Sequence, residues 1–438
     1  MSRARSLCLT LCLCACTRER PNIILLSLDT TRADRTSLYG YDKPTTPHLA
    51  DFGKSSTRFD LAYAPMSCTG PTHATMFTGL YPLTHGLISN GRSLSPDKVT
   101  LAELLQRAGF QTAGVVGSFV MNRKFGFAQG FESYQDSFLP EHATFKAKRW
   151  LGSDVSGGFD ATANNTTDRA IRWLEESRSS RHPFFLFVHY FDPHEPYRAP
   201  PAYRKRFAHP YDAEIAFMDA EIGRLLEKID ALGLMDDSLI IVTADHGQGL
   251  MQHGDPYHNA DVYEESVRVP LIFHWPGKIR SQTITGPVEL VDLVPTILDA
   301  AQVTAEVDES EHLLPWQGRS LSYALYDGGV TPTERSVFLH RQHYNPGKMR
   351  DIAVNGSLFG IRRGGWKYVV GEGEGRKELY DLTTDPREQK NLVAEHPTIA
   401  AELSDRLTAW RQSAEGAASP AALTSEDKEA LEALGYIQ

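Results

Sequence analysis

One short polar segment holds the first side chains that could do chemistry. Residues 66–82 have the sequence MSCTGPTHATMFTGLYP, in which Cys68 and Thr69 come just before Pro71 and a helix-like pattern. Proline suits the first turn of a helix because its missing N–H has no intrahelical partner there. Backbone N–H groups and the helix dipole favour negative charge at this point. A hydroxyl or thiol here suits attack on an anionic ester, and both Cys68 and Thr69 are candidates for the nucleophile.

Two aspartates and a histidine form a second candidate set. Asp29 and Asp245 each follow an apolar run, and His246 is adjacent to the second aspartate. Two carboxylates and an imidazole, with an oxygen nucleophile as a further ligand, predict a divalent metal site. Such a metal would lower the pKa of the nucleophile and neutralise charge on the ester. The alternative is that both aspartates only cap the turns that follow them. Their combination with His246 and the 66–82 segment favours the metal.

The elements that must position these residues follow from the apolar pattern. Four continuous apolar runs, at 22–29, 112–118, 184–191 and 239–245, predict strands that are buried on both faces. Apolar residues at helical spacing separate the last two runs. This alternation predicts an α/β fold with a mostly parallel central sheet flanked by helices. Ligands bind beyond the carboxyl ends of such strands, so the site is expected along that edge.

The pattern changes after about residue 330. Short strand-like segments joined by glycine-containing turns, followed by a helix over 397–412 and a short helix at the C-terminal end, predict a small antiparallel α+β subdomain. The sequence therefore predicts three parts: a signal peptide over 1–15, a catalytic domain over 21–330 and a C-terminal subdomain over 331–438.

The N-terminal segment and the overall charge limit the partners. Arg3 and Arg5 precede a short apolar run over 7–15, and the tetrapeptide at 13–16 resembles a bacterial lipobox that ends at Cys16. We expect an exported periplasmic or outer-membrane lipoprotein, which touches the membrane only through a lipid on Cys16. An ordinary signal peptide or a miscalled start is the alternative. A net charge of −10 argues against a nucleic-acid partner. With only Cys16 and Cys68 left after processing, no disulfide framework is expected.

Several longer motifs carry a family resemblance. In order along the chain they are PNIILLSLDTTRADRTSLYGY, TGPTHATMFTGLYPLTHG, FFLFVHYFDPHEPY, IIVTADHGQGLMQHG and ELYDLTTDPREQKNL. Together they resemble the sulfatase family of the alkaline-phosphatase superfamily over nearly everything after Pro21. The resemblance implies an alkaline-phosphatase-like fold and hydrolysis of sulfate or phosphate esters.

The family pattern selects one nucleophile. In sulfatases proper, a Cys or Ser that lies two residues before the Pro and four before an Arg is oxidised to formylglycine. Here that position holds Thr69, two residues before Pro71, and the Arg position holds His73, whereas Cys68 is one residue too early. Because threonine cannot be oxidised to an aldehyde, formylglycine is not expected. The unmodified Thr69 resembles that of phosphate-handling relatives, in which a metal-bound threonine forms a covalent intermediate.

The resemblance also implies a ligand set for one divalent ion. Asp29, Thr69, Asp245 and His246 match the positions that hold a single metal in those relatives. Thr30 stands where many sulfatases carry a further Asp ligand, which weakens the case for Ca²⁺. His246 stands in place of an Asn or Asp, which favours Mn²⁺ or Zn²⁺.

Other histidines are assigned separate roles. His194 resembles the family histidine that contacts the ester oxygen and protonates the leaving group. His253 and His258 lie in a loop after Asp245 and His246, and we predict that they bind the transferred anion or a second metal. His73 is predicted to steady the nucleophile in place of the usual Arg.

Three basic side chains have weaker claims to a role in the site. His189 lies within an apolar run and is predicted to be a packed core residue. His85 has no assigned role, and Lys278 is predicted to be a solvated loop lysine.

The sequence as a whole predicts a metal-dependent hydrolase of a sulfated or phosphorylated sugar or lipid. Two alternatives remain open: a phosphoryl transferase that acts on envelope glycans, and an inactive homologue that binds glycans. The transferases we would compare usually carry several membrane spans, whereas no stretch here reaches the roughly 18 apolar residues of a span. Retention of the complete ligand set together with His194 argues against the inactive alternative.

Overall fold

The chain folds around one large sheet with a smaller sheet beside it. The computed structural model of the protein describes residues 20–417, apart from 141–142, 145–147, 151–152, 156, 305–315 and 343–353. The described strands are β1 (Asn22–Leu28), β2 (Thr57–Phe59), β3 (Ala62–Tyr63), β4 (Gln111–Val116), β5 (Ser133–Gln135), β6 (Arg149–Trp150), β7 (Ser153–Asp154), β8 (Phe184–Tyr190), β9 (Ser238–Thr243), β10 (Arg268–Val269), β11 (Leu271–His274), β12 (Gln282–Ile284), β13 (Val288–Glu289), β14 (Val337–Arg341), β15 (Leu358–Arg363), β16 (Trp366–Gly371) and β17 (Arg376–Asp381).

Helices connect and cover these strands. The described α-helices are α1 (Pro47–Gly53), α2 (Thr69–Thr78), α3 (Pro82–His85), α4 (Leu101–Arg107), α5 (Ala163–Arg172), α6 (Pro201–Arg204), α7 (Pro210–Ala231), α8 (Glu264–Val267), α9 (Leu293–Ala301), α10 (Ser322–Tyr326) and α11 (Pro397–Ala417). The large sheet has the strand order β12-β2-β11-β9-β1-β8-β4-β5. It is parallel except where β11 pairs with β9 and β2, which confirms the predicted α/β fold.

The register of the central strands brings two of the predicted site residues to one edge. Strand β1 lies between β8 and β9 and is parallel to both. Ser27 of β1 pairs with His189 of β8 and with Thr243 of β9. Asp29 and Asp245 each follow two residues after a member of this row. They therefore leave neighbouring strands side by side at the carboxyl edge of the sheet.

Aromatic packing fixes α2, the helix that begins at Thr69, against the sheet. The ring of Phe77 on α2 meets Phe187 of β8 edge-on, with 4.9 Å between the ring centroids. Burying a phenylalanine side chain contributes roughly 1.5–3 kcal/mol, so this contact strongly favours one position of the helix. The helix ends at Gly79 with a φ of 68°, and a Cβ there would lie 2.7 Å from the Cβ of Trp316.

Helix α7 supplies one of the flanking layers. It is 22 residues long, and its buried residues include Met218, Ile222, Leu225 and Ile229 at intervals of three or four residues. This spacing places them on one face, which confirms the helical pattern found in the sequence. Helix α5 packs beside α7.

The C-terminal part forms the predicted small antiparallel sheet, with the order β14-β15-β16-β17. Helix α11 covers it, and Trp410 of that helix stacks on Phe338 of β14 with 4.8 Å between the ring centroids. This helix extends five residues beyond the predicted end at 412. The extension has the sequence SAEGA, in which alanine and glutamate favour a helix. Polar residues alone therefore did not indicate where the helix ends.

The predicted strands are confirmed with small differences at their ends. The apolar runs over 22–29 and 239–245 end as strands at Leu28 and Thr243, because the chain turns into the site at the residues that follow. Among the described residues, no helix is long and apolar enough to cross a membrane. The predicted signal segment with Cys16 and the predicted terminal helix near residue 438 lie outside the described residues.

Candidate functional site

Two buried carboxylates lie together at the carboxyl edge of the sheet. Asp29 and Asp245 are both fully buried. Oδ1 of Asp245 accepts hydrogen bonds from the backbone amides of Thr30 at 3.1 Å and His246 at 2.9 Å. In the part of the chain that the structure describes, neither Oδ2 of Asp245 nor Oδ1 of Asp29 has a hydrogen-bond partner. Burying a carboxylate oxygen that accepts no hydrogen bond costs free energy, and a bound cation would offset this cost. The pair of carboxylates therefore suits a cation.

The donor atoms of Asp29, Asp245 and His246 fit one divalent ion. They all lie within 4.8 Å of one another. Two ligands of the same ion are separated by at most about twice the bond length, or roughly 4–5 Å for Zn²⁺ or Ca²⁺. The set of two carboxylates and one imidazole is also chemically suited to such an ion. The structure thus brings together three of the four predicted metal ligands in a compact group.

Hydrogen bonding fixes the ring orientation of His246. Its Nδ1 lies 2.9 Å from the carbonyl oxygen of Gly247, which can only accept, so Nδ1 carries the proton. Nε2 therefore presents its lone pair to the cluster, as metal-binding histidines usually do. This nitrogen lies 3.3 Å from Oδ2 of Asp245 and 3.3 Å from Oγ1 of Thr69. The hydroxyl of Thr69 is thereby placed at the edge of the Asp–Asp–His group.

The two candidate nucleophiles differ in their surroundings. Thr69 is the first residue of α2, and Cys68 is the residue before it, with extended backbone. Burial raises the pKa of the Cys68 thiol to about 12, so it stays protonated at neutral pH. Thr69, by contrast, shares a hydrogen bond with His246. This geometry favours Thr69 as the nucleophile that the sequence predicts.

His73 lies directly beneath the start of α2. Its Nδ1 donates to the carbonyl oxygen of Thr69 at 2.8 Å, and its Nε2 accepts from the hydroxyl of Ser27 at 2.8 Å. Burial lowers the pKa of His73 to about 3, so the ring is neutral. Its Nδ1 also lies 3.7 Å from Oδ2 of Asp245. These contacts place His73 where it can hold Thr69 in position, as predicted, but as a neutral group.

The two carboxylates have opposite pKa shifts. Burial, reinforced by the neighbouring charge of Asp245, raises the pKa of Asp29 well above its usual range. Burial also acts to raise the pKa of Asp245, but the imidazoles of His246 and His73 outweigh it, and the net shift is downward. Two ionised carboxylates would repel each other here, so without a cation Asp29 holds its proton more readily than Asp245. A cation between them would relieve this repulsion.

His189 contacts the site, which the sequence did not predict. Its Nδ1 accepts from the backbone amide of Gly117 at 3.4 Å, so its Nε2 donates to Oδ2 of Asp29 at 3.2 Å. The residue is fully buried, as expected, but its partner is the carboxylate of Asp29. The surrounding run FFLFVHYF resembles a strand that is buried throughout. The position of His189 in the site follows from its pairing with Ser27, which the sequence does not show.

The turn after β1 is held in a strained conformation. Thr30 has a φ of 53°, in the left-handed region that β-branched residues rarely adopt. Its carbonyl oxygen accepts from the hydroxyl of Tyr211 at 2.6 Å, while its amide donates to Asp245. Strain of this kind costs on the order of 1–3 kcal/mol and concentrates at functional sites. The anchor from Tyr211 on α7 keeps the amide directed at the carboxylate.

Two further histidines continue the site from His246. The ring of His258 lies 4.7 Å from that of His246 and 5.1 Å from that of His194. Nδ1 of His194 donates to the carbonyl oxygen of Glu195 at 2.7 Å, and its ring stacks on Phe191. Its Nε2 is therefore the nitrogen through which it can exchange a proton with a substrate. The structure brings the predicted residues His194 and His258 together beside the Asp–Asp–His group.

Gln248 connects the segments that carry His194 and His258, and no role was predicted for it from the sequence. Its side-chain oxygen accepts from Nδ1 of His258 at 2.8 Å. Its amide nitrogen donates to the carboxylate of Glu195 at 3.0 Å and to the hydroxyl of Tyr197 at 2.9 Å. The residue is fully buried. A signal was present in its position two residues after His246, within the motif HGQG.

The remaining basic residues have other contacts. Nδ1 of His253 lies 2.5 Å from the carboxylate of Glu265, and its Nε2 lies 3.2 Å from the carbonyl oxygen of Glu388. The second contact ties His253 to the C-terminal subdomain, and neither contact is with the Asp–Asp–His group. His85 is buried beside α2, and Lys278 is exposed.

The fold and this group of side chains together define a class of protein. A hydroxyl at a helix start, an Asp–Asp–His group and further histidines at the carboxyl edge of an α/β sheet form the arrangement of an anionic-ester hydrolase. The family model described as Sulfatase matches residues 21–303. A second model, described as N-sulphoglucosamine sulphohydrolase, C-terminal, matches residues 255–413. The chain belongs to the sulfatase family and is an ester hydrolase.

Similar proteins of known sequence span most of the chain. An N-acetylglucosamine-6-O-sulfatase of Bacteroides thetaiotaomicron is 24% identical, and the match covers 85% of this chain and 83% of that protein. Human arylsulfatase A is 27% identical, with 92% and 85% covered.

Solved structures share the fold over nearly the whole chain. A structure in complex with its substrate D-glucosamine-2-N,6-O-disulfate has a TM-score of 0.76 at 23% identity and covers 91% of this chain and 99% of the other. A phosphonate monoester hydrolase of Agrobacterium radiobacter has a TM-score of 0.73 at 21% identity, with 90% and 96% covered. At these identities the likeness establishes the fold alone.

Proposed function

We propose that the protein hydrolyses sulfate or phosphate esters with unmodified Thr69 as its nucleophile. The observation that carries this proposal is the 3.3 Å separation between Oγ1 of Thr69 and Nε2 of His246, at the edge of two incompletely bonded carboxylates. Cys68 has no comparable support, because burial keeps its thiol protonated. Formylglycine is not part of the proposed mechanism.

We propose that one divalent ion completes the site. Asp29, Asp245, His246 and Thr69 would hold it, since they supply the buried oxygen and nitrogen donors already described. When bound, such an ion supplies Lewis-acid chemistry, which favours ionisation of a hydroxyl and offsets the charge of an anionic ester. Mn²⁺, Zn²⁺ and Ca²⁺ are the candidates, and the histidine ligand favours the first two. His189 and the backbone amide of Thr30 hold the carboxylates in place.

The proposed reaction has two displacement steps. The hydroxyl of Thr69 first loses its proton to solvent; its Oγ1 then forms a bond to the sulfur or phosphorus, and the bond from that atom to the alcohol oxygen breaks. The alcohol oxygen takes a proton from Nε2 of His194. A water molecule then attacks the covalent ester, giving a proton to the now neutral His194, and the bond to Oγ1 breaks. Inorganic sulfate or phosphate leaves and Thr69 is restored.

The substrate is proposed to be a sulfated or phosphorylated sugar or lipid. Support comes from relatives named for sulfated sugars and from the phosphonate hydrolase with the same fold. A lipid on Cys16 would hold the enzyme at the cell envelope. Export with retention of Cys16 in a lipid-labelled N-terminal peptide would support this location, and an unmodified Cys16 in that peptide would oppose it.

A parallel assay tests the proposal. The purified chain is given an aryl sulfate, a phosphate monoester and a phosphodiester, each with Ca²⁺, Mn²⁺ or Zn²⁺. We expect metal-dependent turnover of at least one ester, lost in Thr69→Ala and largely kept in Cys68→Ala, the matched control one residue away. Turnover lost in Cys68→Ala would contradict the assignment. Transfer to an added alcohol instead of water would support a transferase, and no turnover with any metal would support a glycan-binding homologue.

A further inference from the structure

A cavity lies away from the ester-hydrolysis residues, between the large domain and the C-terminal sheet. Its volume is about 450 Å³. Tyr63, Glu264 and Arg268 line it from one side, and Arg362 and Thr383 line it from the other. Tyr63 and Arg362 are buried, whereas Thr383 is exposed at the mouth. The cavity therefore opens to solvent and has a cationic group in its wall.

The guanidinium of Arg362 is buried without hydrogen bonds from two of its nitrogens. Only 6% of the residue is exposed. Within the described part of the chain, Nε and Nη1 have no hydrogen-bond partner, and the group lies over the ring of Tyr63 at 5.4 Å. An arginine presents five N–H donors in a planar fork that matches carboxylate, sulfate and phosphate oxygens. A buried guanidinium is normally hydrogen-bonded, so its two unbonded nitrogens can donate to an anion that enters the cavity.

The acidic groups near Arg362 have other partners. Glu264 accepts a hydrogen bond from the hydroxyl of Tyr63 at 2.9 Å and pairs with Lys367 at 3.2 Å. The carboxylate of Glu334 lies 3.6 Å from Nε of Arg363, on the neighbouring residue.

The second cation of the cavity is also engaged elsewhere. Nε and Nη2 of Arg268 donate to the carbonyl oxygen of Asp60 at 3.1 and 2.9 Å, and this neutral acceptor does not cancel the positive charge of Arg268. Two cations thus line the wall beside the carboxylates of Glu264 and Glu334, and among the described residues neither cation is directly bonded to a carboxylate.

We propose that this cavity binds an oxyanion, a carboxylate, sulfate or phosphate group, through Arg362 with Arg268 as a second positive charge. This site goes beyond the proposed hydrolysis and does not depend on it. The same chemistry has two sources: a free inorganic anion, or an anionic group on a saccharide chain whose scissile ester lies elsewhere. The cavity opens to solvent, which permits either source.

Crystals soaked in sodium selenate test the site directly. We expect an anomalous peak within hydrogen-bonding distance of the Arg362 guanidinium in the parent protein. The same soak of Arg362→Met should lose that peak and keep any peak beside Thr69. Selenate found only beside Thr69, or a peak in the cavity that persists in Arg362→Met, would overturn the proposal.

Thermal unfolding in solution supplies an independent measurement. Sulfate that binds the folded state should raise the Tm of the parent, and Arg362→Met should lose about half or more of that rise. Without sulfate, Arg362→Met should be no less stable than the parent, because it lacks an unpaired buried charge. Lys377→Met, which removes an exposed charge of the same small sheet, is the matched control and should keep the full response. An equal sulfate response in Arg362→Met and Lys377→Met would contradict the site.

A comparison of ligands separates the two sources. Inorganic sulfate and a sulfated disaccharide are titrated by calorimetry into Thr69→Ala and into Thr69→Ala with Arg362→Met. Loss of sulfate binding alone in the double variant supports a free-anion site, and loss of binding of both ligands supports a site that also takes a saccharide-borne anion. No difference between the variants for either ligand would refute the proposal.

Discussion

Thr69 lies at the start of a helix, and Asp245 and His246 follow the end of one strand. Nε2 of His246 lies 3.3 Å from Oγ1 of Thr69 and 3.3 Å from Oδ2 of Asp245. The sequence predicted these residues because each has a chemically distinctive type directly after an apolar run or before a proline. It did not identify His189 or Gln248. Their roles depend on which strand and loop lie next to them, and that is a property of strand order and register rather than of local pattern.

The proposed metal ligands can be tested with an isosteric change. Asp245→Asn replaces the unbonded Oδ2 or the amide-accepting Oδ1 with a nitrogen donor, so it should weaken both the cation site and the turn at Thr30. We expect metal content and ester hydrolysis to fall together, with metal occupancy measured by elemental analysis. Full metal occupancy in this variant would show that Asp245 is only a structural cap.

His194 should matter most for poor leaving groups. Its Nε2 is the nitrogen that can deliver a proton to the departing alcohol, since Nδ1 is held by the carbonyl of Glu195. General-acid assistance is typically worth about 10²–10⁴ in rate. We expect His194→Ala to lose about that factor on alkyl esters and much less on nitrophenyl esters, measured as kcat/KM. Equal losses on both would mean that His194 binds the transferred anion instead.

At the scale of elements, the carboxyl ends of β1 and β9 bring Asp29 and Asp245 together, and α2 adds Thr69. The positions of the strands were predictable because both faces of the sheet are covered, and this leaves uninterrupted apolar runs in the sequence. The order of the strands in the sheet was not predictable, because the spacing of strands along the sequence does not show which strands are neighbours. The bend at Thr30 was likewise hidden, because its left-handed backbone depends on a hydroxyl that α7 supplies.

A carboxyl pair joins α7 to the segment that carries His194. Glu214 on α7 accepts from the backbone amide of Arg198 and hydrogen-bonds to Asp192. Burial, with the neighbouring charge of Asp192, raises the pKa of Glu214 from 4.5 to about 10. The folded protein therefore keeps a proton that the unfolded chain releases above about pH 4.5. The contribution of this group to stability falls as the pH rises between those two values.

The variant Glu214→Gln removes this pH dependence while it keeps a donor and an acceptor. We expect parent and variant to have similar free energies of unfolding near pH 5. The variant should then gain on the order of 1 kcal/mol per pH unit over the parent up to about pH 8. Urea unfolding at several pH values measures the difference. Parallel pH profiles for the two proteins would show that Glu214 is ionised in the folded state.

At the scale of the whole molecule, ion pairs join the small C-terminal sheet to the large domain. Lys367 of β16 is fully buried and lies 3.2 Å from a carboxylate oxygen of Glu264 and 2.9 Å from one of Glu388. The sequence predicted the two-part architecture from the change of pattern near residue 330. It did not predict this interface, because single charged residues in the sequence do not reveal their partners.

Removal of this lysine should destabilise the molecule. Lys367→Met leaves buried carboxylate charge without its partner, which typically costs about 3–5 kcal/mol. Lys377→Met, a change at an exposed position of β17, should alter stability by no more than about 0.5 kcal/mol. Urea unfolding compares the two variants with the parent. If Lys367→Met were as stable as Lys377→Met, the buried ion pair would not hold the two parts together.

The covalent state of Thr69 during turnover shows whether this residue is the nucleophile. The metal-loaded enzyme is mixed with a substrate that it turns over, quenched in acid during the reaction and digested, and the peptide containing residues 66–82 is analysed by tandem mass spectrometry. We expect an added phosphoryl or sulfuryl group on Thr69 and an unmodified Cys68. A formylglycine at position 68, or the added group on any residue other than Thr69, would contradict this expectation.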